Sequence, residues 1–340
     1  MRKTMMIALP AALLTLAAGL VLIRFERPVR AQGITLDRSL LAMLPAQATS
    51  LVGVDLEKLK ATAVYRRIEE QHRPGQSQLD EFAAKVGFDP RRDVSELLVA
   101  AWGRGEGAQK PHFVAVARGS FNVAALSAEL RAHQAVVEQH RGFDVYGPPK
   151  PASSGEEEGR FVFLDAKTVL AGTRAAVLGA LDRKVSGGPS LQDKAALLSR
   201  VQSIRGSGQV WAVSETPGEI VSGALPRDPS AQGSNFARIF ASMQNSTFAA
   251  DLMNGLDLKA AGVCKTAQDA KTLGEALRGL LAMGRLAINP QEPEMLALLD
   301  GVRVEERDTQ LDVFVQVDMK TLEKILEKPP GRGRVRAAKF

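Results

Sequence analysis

Cysteine is almost absent. Among 340 residues there is only Cys264, which excludes an intrachain disulfide and any cluster of thiolate metal ligands. Aromatic side chains are sparse, with two Trp, two Tyr and thirteen Phe, too few for the stacking platforms that bind bases or sugars. Histidine is also scarce. His72, His112, His133 and His140 include no pair at the i, i+4 spacing that places two imidazoles on one helical face. No metal site is expected, and no cofactor.

The net charge of +6 is a property of the two ends. Residues 1–30 carry Arg2, Lys3, Arg24, Arg27 and Arg30 against Glu26, and residues 332–340 carry Arg332, Arg334, Arg336 and Lys339. Each end contributes +4, which leaves the body at −2. A nucleic-acid-binding domain carries its positive charge on a folded face, so nucleic acid is not an expected partner.

What is present begins with an uncharged run, Met5–Ile23, behind Arg2 and Lys3. As a helix it would reach roughly 28 Å, close to the thickness of a bilayer core. This is the pattern of a secretory signal or an N-terminal membrane anchor over residues 1–31. Val29-Arg30-Ala31 offers a small residue for cleavage before Gln32, whereas the charged segment before it favours retention as an anchor. Either way the body is expected to be exported, periplasmic or otherwise extracytoplasmic. The basic stretch 329–340, behind two prolines, reads as a flexible tail.

Alternation and capping signals divide the body into repeated strand–strand–helix units. Ser50–Val54 reads as a strand, and Asp55 caps a helix over Glu57–Gln71. A short helix follows at Leu79–Val86, and Pro90 lies in a turn that blocks helix continuation. Glu96–Trp102 and His112–Arg118 are strands, followed by a helix over Asn122–His133 and a hairpin over Ala135–Tyr146. Arg160–Leu164 and Thr168–Ala171 pair before a helix at Arg174–Arg183. Ser190 caps a helix over Leu191–Val201, and Gln209–Val213 is a strand. Residues 215–234 have linker composition, and a short helix is read over Asn235–Met243. Thr247–Met253 and Leu256–Lys265 are strands, and Thr266 caps a helix running to Leu286. That helix has Leu273, Leu277, Leu280, Leu281 and Gly284 on one face. Val302–Arg307 and Gln310–Val317 form a hairpin, and Asp318 caps Met319–Glu327. The expected class is α+β, with antiparallel sheets, helices packed on one face and duplicated units. The halves are 32–214 and 235–328.

The segments LPAQATSLVGVDLEKLKATAVYRRI, GFDPRRDVSELLVA and VWAVSE resemble a group of uncharacterised exported bacterial proteins with an LPA-x-A opening after a signal segment. The resemblance spans most of residues 40–320. It implies export and an α+β body, and it transfers no functional residue.

Catalytic patterns fail one after another. There is no G-x-S-x-G, and Ser190 is followed by Leu191-Gln192-Asp193, a cap with an acidic third residue. Gly103–Gly107 is glycine-rich but leads into a strand, without the helix N-terminus of a phosphate loop. Asp80/Glu81, Asp89/Asp93, Glu156–Glu158 and Glu305/Glu306 are acidic pairs or runs, of which Asp89/Asp93 flank a turn and Glu156–Glu158 lie in a loop, and sequence spacing shows no two of them opposed across a cleft. Cys264 ends an apolar strand, as a buried inert thiol would. No catalytic, cofactor-binding or metal residue is assigned. The favoured function is a non-catalytic cell-envelope protein that binds a protein partner or envelope component. An exposed apolar patch on a sheet or helix face would be its mark. Two alternatives are a carrier of a lipid or other apolar ligand, which needs a hollow core, and an enzyme of dispersed residues centred on Asp165 or Asp257.

Overall fold

In the computed structural model the described residues are 36–71, 80, 83–84, 87–103, 112–148, 159–204, 208–217, 242–288 and 292–327. Residues 1–31, the tail and most of the 215–234 linker lie outside them. So do residues 235–241 of the helix read there, most of Leu79–Val86, and the loops 104–111 and 149–158.

The strands are β1 (Ser50–Asp55), β2 (Val94–Trp102), β3 (His112–Gly119), β4 (Val136–His140), β5 (Phe143–Gly147), β6 (Gly159–Phe163), β7 (Thr168–Thr173), β8 (Val210–Ser214), β9 (Met243–Asp251), β10 (Gly255–Cys264), β11 (Val302–Arg307) and β12 (Gln310–Asp318). All twelve join one antiparallel sheet in the order β11-β12-β10-β9-β8-β1-β2-β3-β7-β6-β5-β4. The helices are α1 (Arg38–Met43), α2 (Leu56–Lys60), α3 (Ala63–Gln71), α4 (Pro90–Asp93), α5 (Val123–Ala132), α6 (Arg174–Ser186), α7 (Ala195–Ser203), α8 (Ala267–Ala287), α9 (Pro293–Asp300) and α10 (Met319–Glu327).

The order contains a repeat. Reading outward from the central β1–β8 pair, β1-β2-β3-β7-β6 on one side matches β8-β9-β10-β12-β11 on the other, with the β4–β5 hairpin added to the first half. One row of directly paired residues crosses every strand. It runs Val304, Val313, Ala260, Phe248, Ala212, Val52, Val99, Ala115, Ala171, Phe161, Tyr146 and Val137. Every member is apolar, so an apolar row crosses one face of the sheet from edge to edge. The α+β class and the duplicated strand–strand–helix units are both present. The sheet continues through β8, which pairs with β1 and β9, without a break between the halves.

Helices cover the two halves differently. On the first face, Leu51, Leu98, Val114, Val116, Leu170 and Trp211 pack against Leu41 of α1, Val177 and Leu181 of α6, and Leu197 and Val201 of α7. On the opposite face, Val54, Leu97, Ala117, Val169, Val315 and Val317 pack against Leu59 of α2, Val64 of α3, Leu126 of α5 and Leu322 of α10. The expected one-face covering therefore describes β9–β12 and fails for the first half, whose central strands are apolar on both sides.

Register explains the asymmetry. Along the apolar row Ala171 of β7 corresponds to Val313 of β12, so β7 ends at Thr173 where β12 has reached Val315. β12 continues to Asp318 before its helix begins. Successive strand residues face opposite sides, and an odd-numbered extension sends the chain out on the other face. Thus α6 lies on the first face and α10 on the second.

Local signals account for the helix starts. The side chains of Asp55, Asn122, Thr266 and Asp318 each accept a backbone N–H of the following turn. Asp193 Oδ2 accepts the Ser190 N–H at 2.8 Å, but the turn it closes is a short 3-10 segment, and α7 begins afresh at Ala195. Pro90 opens a one-turn helix instead of blocking one. It occupies the first position behind the Asp89 cap, where its missing N–H costs nothing. Met243 belongs to β9, not to a helix.

Asp37 accepts the Ser39 hydroxyl at 2.7 Å, forms an ion pair with Arg118 and caps α1 through the Ser39 N–H, interactions that hold its carboxyl down at about 2. A depressed carboxylate contributes stability above its unfolded value of roughly 4 and loses it as pH falls toward the folded value. Asp37→Asn keeps the cap geometry and should flatten this part of the acid limb. At an exposed site the effect is at most about 1 kcal/mol, read from urea titrations between pH 2 and 5.

Candidate functional site

Two features stand out from the scaffold: an apolar ridge on α8 and a charged cleft at the ends of β2, β3 and β7.

The first half of α8 is packed. Ala270, Leu273 and Gly274 are buried, and Leu273 meets Cys264 and Leu311. Beyond Leu277 the helix leaves its support. Leu280 is 41% exposed, Met283 60% and Leu286 88%. Leu280, which the sequence spacing places on one face with the buried Leu273, points outward. A helix of 21 residues is about 32 Å long, whereas the six-residue strand β11 beside it spans about 20 Å, so the helix outruns the sheet. With Gly279 and Ala287, these side chains occupy one arc of the helix, and the space over Gly279 is open.

The ridge is held firmly from behind. Arg278 donates to Glu306 at 2.5 and 2.7 Å and to the Val304 carbonyl at 2.8 Å. Arg285 reaches Asp300 at 3.0 Å and the Leu299 carbonyl at 3.2 Å. Gly284 faces Leu299 of α9. The α9 helix was not read from sequence, although Pro293 at its first turn is the signal that could have found it.

The cleft, about 750 Å³, is lined by Glu57, Lys60, Arg92, Asp93, Ser95, Arg118, Gly119, Ser120, Lys167 and Thr168. Lys60 Nζ donates to the Arg92 carbonyl at 2.7 Å and the Val94 carbonyl at 2.5 Å, and burial pushes its pKa down. Arg92 is paired with Asp93 at 2.7 Å, and Arg118 with Asp37. Burial also pushes the Glu96 carboxyl up. Charged and hydroxyl side chains dominate the cleft, which gives the apolar-carrier reading no support.

The residues tested for chemistry in the sequence fall into structural roles. Asp165 is an exposed turn residue accepting the Lys167 N–H at 2.7 Å. Asp257 lies on β10 directly opposite Asp251, another carboxylate. Asp80 and Asp89 both grip Arg91, at 2.5 and 2.7 Å, and Glu306 holds Arg278. His133 contacts Glu129 at 3.0 Å, His140 contacts Asp182 at 3.0 Å, and His112 stacks on Trp102. His72 lies outside the described residues, among which there is no group of three or more His, Cys, Asp or Glu placed to hold a metal. Nor does any described helix have the length and apolarity to cross a membrane.

Cys264 is buried, and burial pushes its thiol pKa up. A thiol reagent at pH 8 should therefore label the protein only after denaturant is added. Labelling of the folded chain at the rate of a free thiol would contradict this placement.

No protein-family description and no curated protein sequence matches the chain. Among solved structures it is similar to two crystal forms of a protein named TP0453. Crystal form I gives a TM-score of 0.44 and form III 0.49, both at 11% identity over 86% of this chain and 98% of the other.

Proposed function

We propose that the protein is a non-catalytic cell-envelope body, exported or membrane-tethered through Met5–Ile23, that docks a protein partner on the α8 ridge. The observation that carries this reading is the ridge itself. Leu280, Met283 and Leu286 project from a helix whose opposite side is tied to its neighbours by Arg278 and Arg285. Exposed, large apolar side chains cost solubility unless something covers them, and they are the usual anchors of an interface. A hydrophobic segment of the partner would lie along the ridge with its closest approach over Gly279. Export is supported by the basic-then-apolar N-terminus and by the resemblance of the LPAQA opening to exported proteins.

A photoreactive side chain at position 283 of the full chain should give a discrete adduct with another protein in cells. The same probe at Lys259, on a different face, should not. Changing Met283 and Leu286 together to glutamate should abolish the adduct and leave the melting temperature within a few degrees, since most of the surface of these two side chains is already in water. Equal adducts at both positions, or none, would refute the docking reading. Fusion of a reporter active only outside the cytoplasm tests export separately, with deletion of residues 5–23 expected to silence it.

A further inference from the structure

The lining of the cleft carries four cations, Lys60, Arg92, Arg118 and Lys167, against two carboxylates, Glu57 and Asp93. Its two arginines are neutralised by Asp93 and Asp37. Its two lysines form no contact ion pair among the described residues. Lys60 is half-buried and its ammonium donates to the Arg92 and Val94 carbonyls, while Glu57, Asp93, Asp89 and Glu69 act on it through space. Lys167, on the opposite wall, has no side-chain partner among the described residues, and neither do the hydroxyls of Ser120 and Thr168. Glu57 at the rim is the one lining carboxylate outside an ion pair. An excess of two positive charges in a concave site favours an anion, and one with several acceptor oxygens can take a hydrogen bond from each donor.

We propose that the cleft formed by Lys60, Lys167, Ser120 and Thr168 binds a phosphomonoester. Donors from three places in the chain, the end of α2, the residue after β3 and the start of β7, suit a tetrahedral group better than a planar carboxylate, because they can reach different oxygens. At about 750 Å³ the cleft is larger than a phosphate ion and leaves room for a small polar group attached to it. The two arginines, already paired, shape the walls; the two lysines supply the charge. The proposal is independent of the α8 ridge, which lies on other elements.

Calorimetric titration of the full chain tests it with three probes: inorganic phosphate, glycerol 3-phosphate, and neutral vesicles containing phosphatidic acid, which presents the same group as a lipid headgroup. Glycerol 3-phosphate should bind more tightly than phosphate, and acetate should be weakest. Lys167→Ala should weaken binding about tenfold, as expected for one charged hydrogen bond, and Lys167→Arg should recover most of it. Lys60→Met should weaken it further, with circular dichroism and melting of the free variant reporting whether the fold survives. Lys259→Ala, distant from the cleft, is the control. Lysine-dependent binding of the vesicles assigns the source to a membrane headgroup, and binding of the soluble probes alone assigns it to a free phosphate ester. Absence of saturable binding up to about 10 mM for all three probes, or affinities unchanged in Lys167→Ala, would overturn the proposal.

Discussion

Trp211→Ala is expected to lower the unfolding free energy by about 3–5 kcal/mol, the range for deleting a large aromatic side chain from a core. Trp211 is 5% exposed and belongs to the first-face core. It lies directly opposite Gly53 across the β1–β8 pair, and a side-chain carbon added at Gly53 would overlap its indole ring. The ring therefore fills the space that a missing side chain leaves at the junction of the two halves. Because the sheet is continuous there, urea unfolding of both the parent and the variant should show one transition by fluorescence and by circular dichroism. Two separate transitions, with Trp211→Ala affecting only one of them, would show that the halves are thermodynamically independent.

The second large effect is expected at Gly255, which opens β10. Its φ is +120°, a backbone region that L side chains rarely adopt, and an added carbon would overlap the Val317 carbonyl oxygen. Gly255→Ala should cost about 3 kcal/mol, combining 1–3 kcal/mol of backbone strain with displacement of the neighbouring strand. Gly279→Ala provides the contrast. Gly279 sits on the exposed arc of α8 with nothing within 4 Å of an added carbon, so alanine there should stabilise the helix by up to about 1 kcal/mol. Urea midpoints moving in opposite directions would confirm both assignments; midpoints moving together would show that the backbone at Gly255 relaxes.

Individual elements were readable because their signals are local. Asp55, Asn122, Thr266 and Asp318 announce helices through side chains that reach the next turn, and alternation marks the strands on either side. Sheet order was not readable in the same way. Nothing in VWAVS specifies that β8 pairs with β1, about 160 residues earlier, because that choice depends on which apolar faces meet. The placement of α6 and α10 on opposite sides turns on three extra residues in β12, a difference invisible until the register is known. Leu280 has the spacing of a core residue and loses that role because the sheet ends before the helix does. The cleft was also hidden. Its lining comes from α2, α4, β2, β3 and β7, with Ser120 just beyond β3 and Lys167 just before β7. Its two lysines are more than a hundred positions apart, so no spacing rule joins them.

The central pair also sets an order of events during synthesis. β1 pairs with β2 on one edge and with β8 on the other, and β8 leaves the ribosome about 155 residues after β1. At roughly 5–20 residues per second this interval lasts about 8–30 s. Throughout it the nascent first half presents β1 as an open edge, with the space over Gly53 still empty. An unpaired strand edge is a template for pairing with other chains. A holdase chaperone that occupies the Ser50–Asp55 edge until Trp211 arrives would protect the chain during this window. Synonymous changes that slow translation between residues 56 and 209 should accordingly increase aggregation without altering the finished molecule.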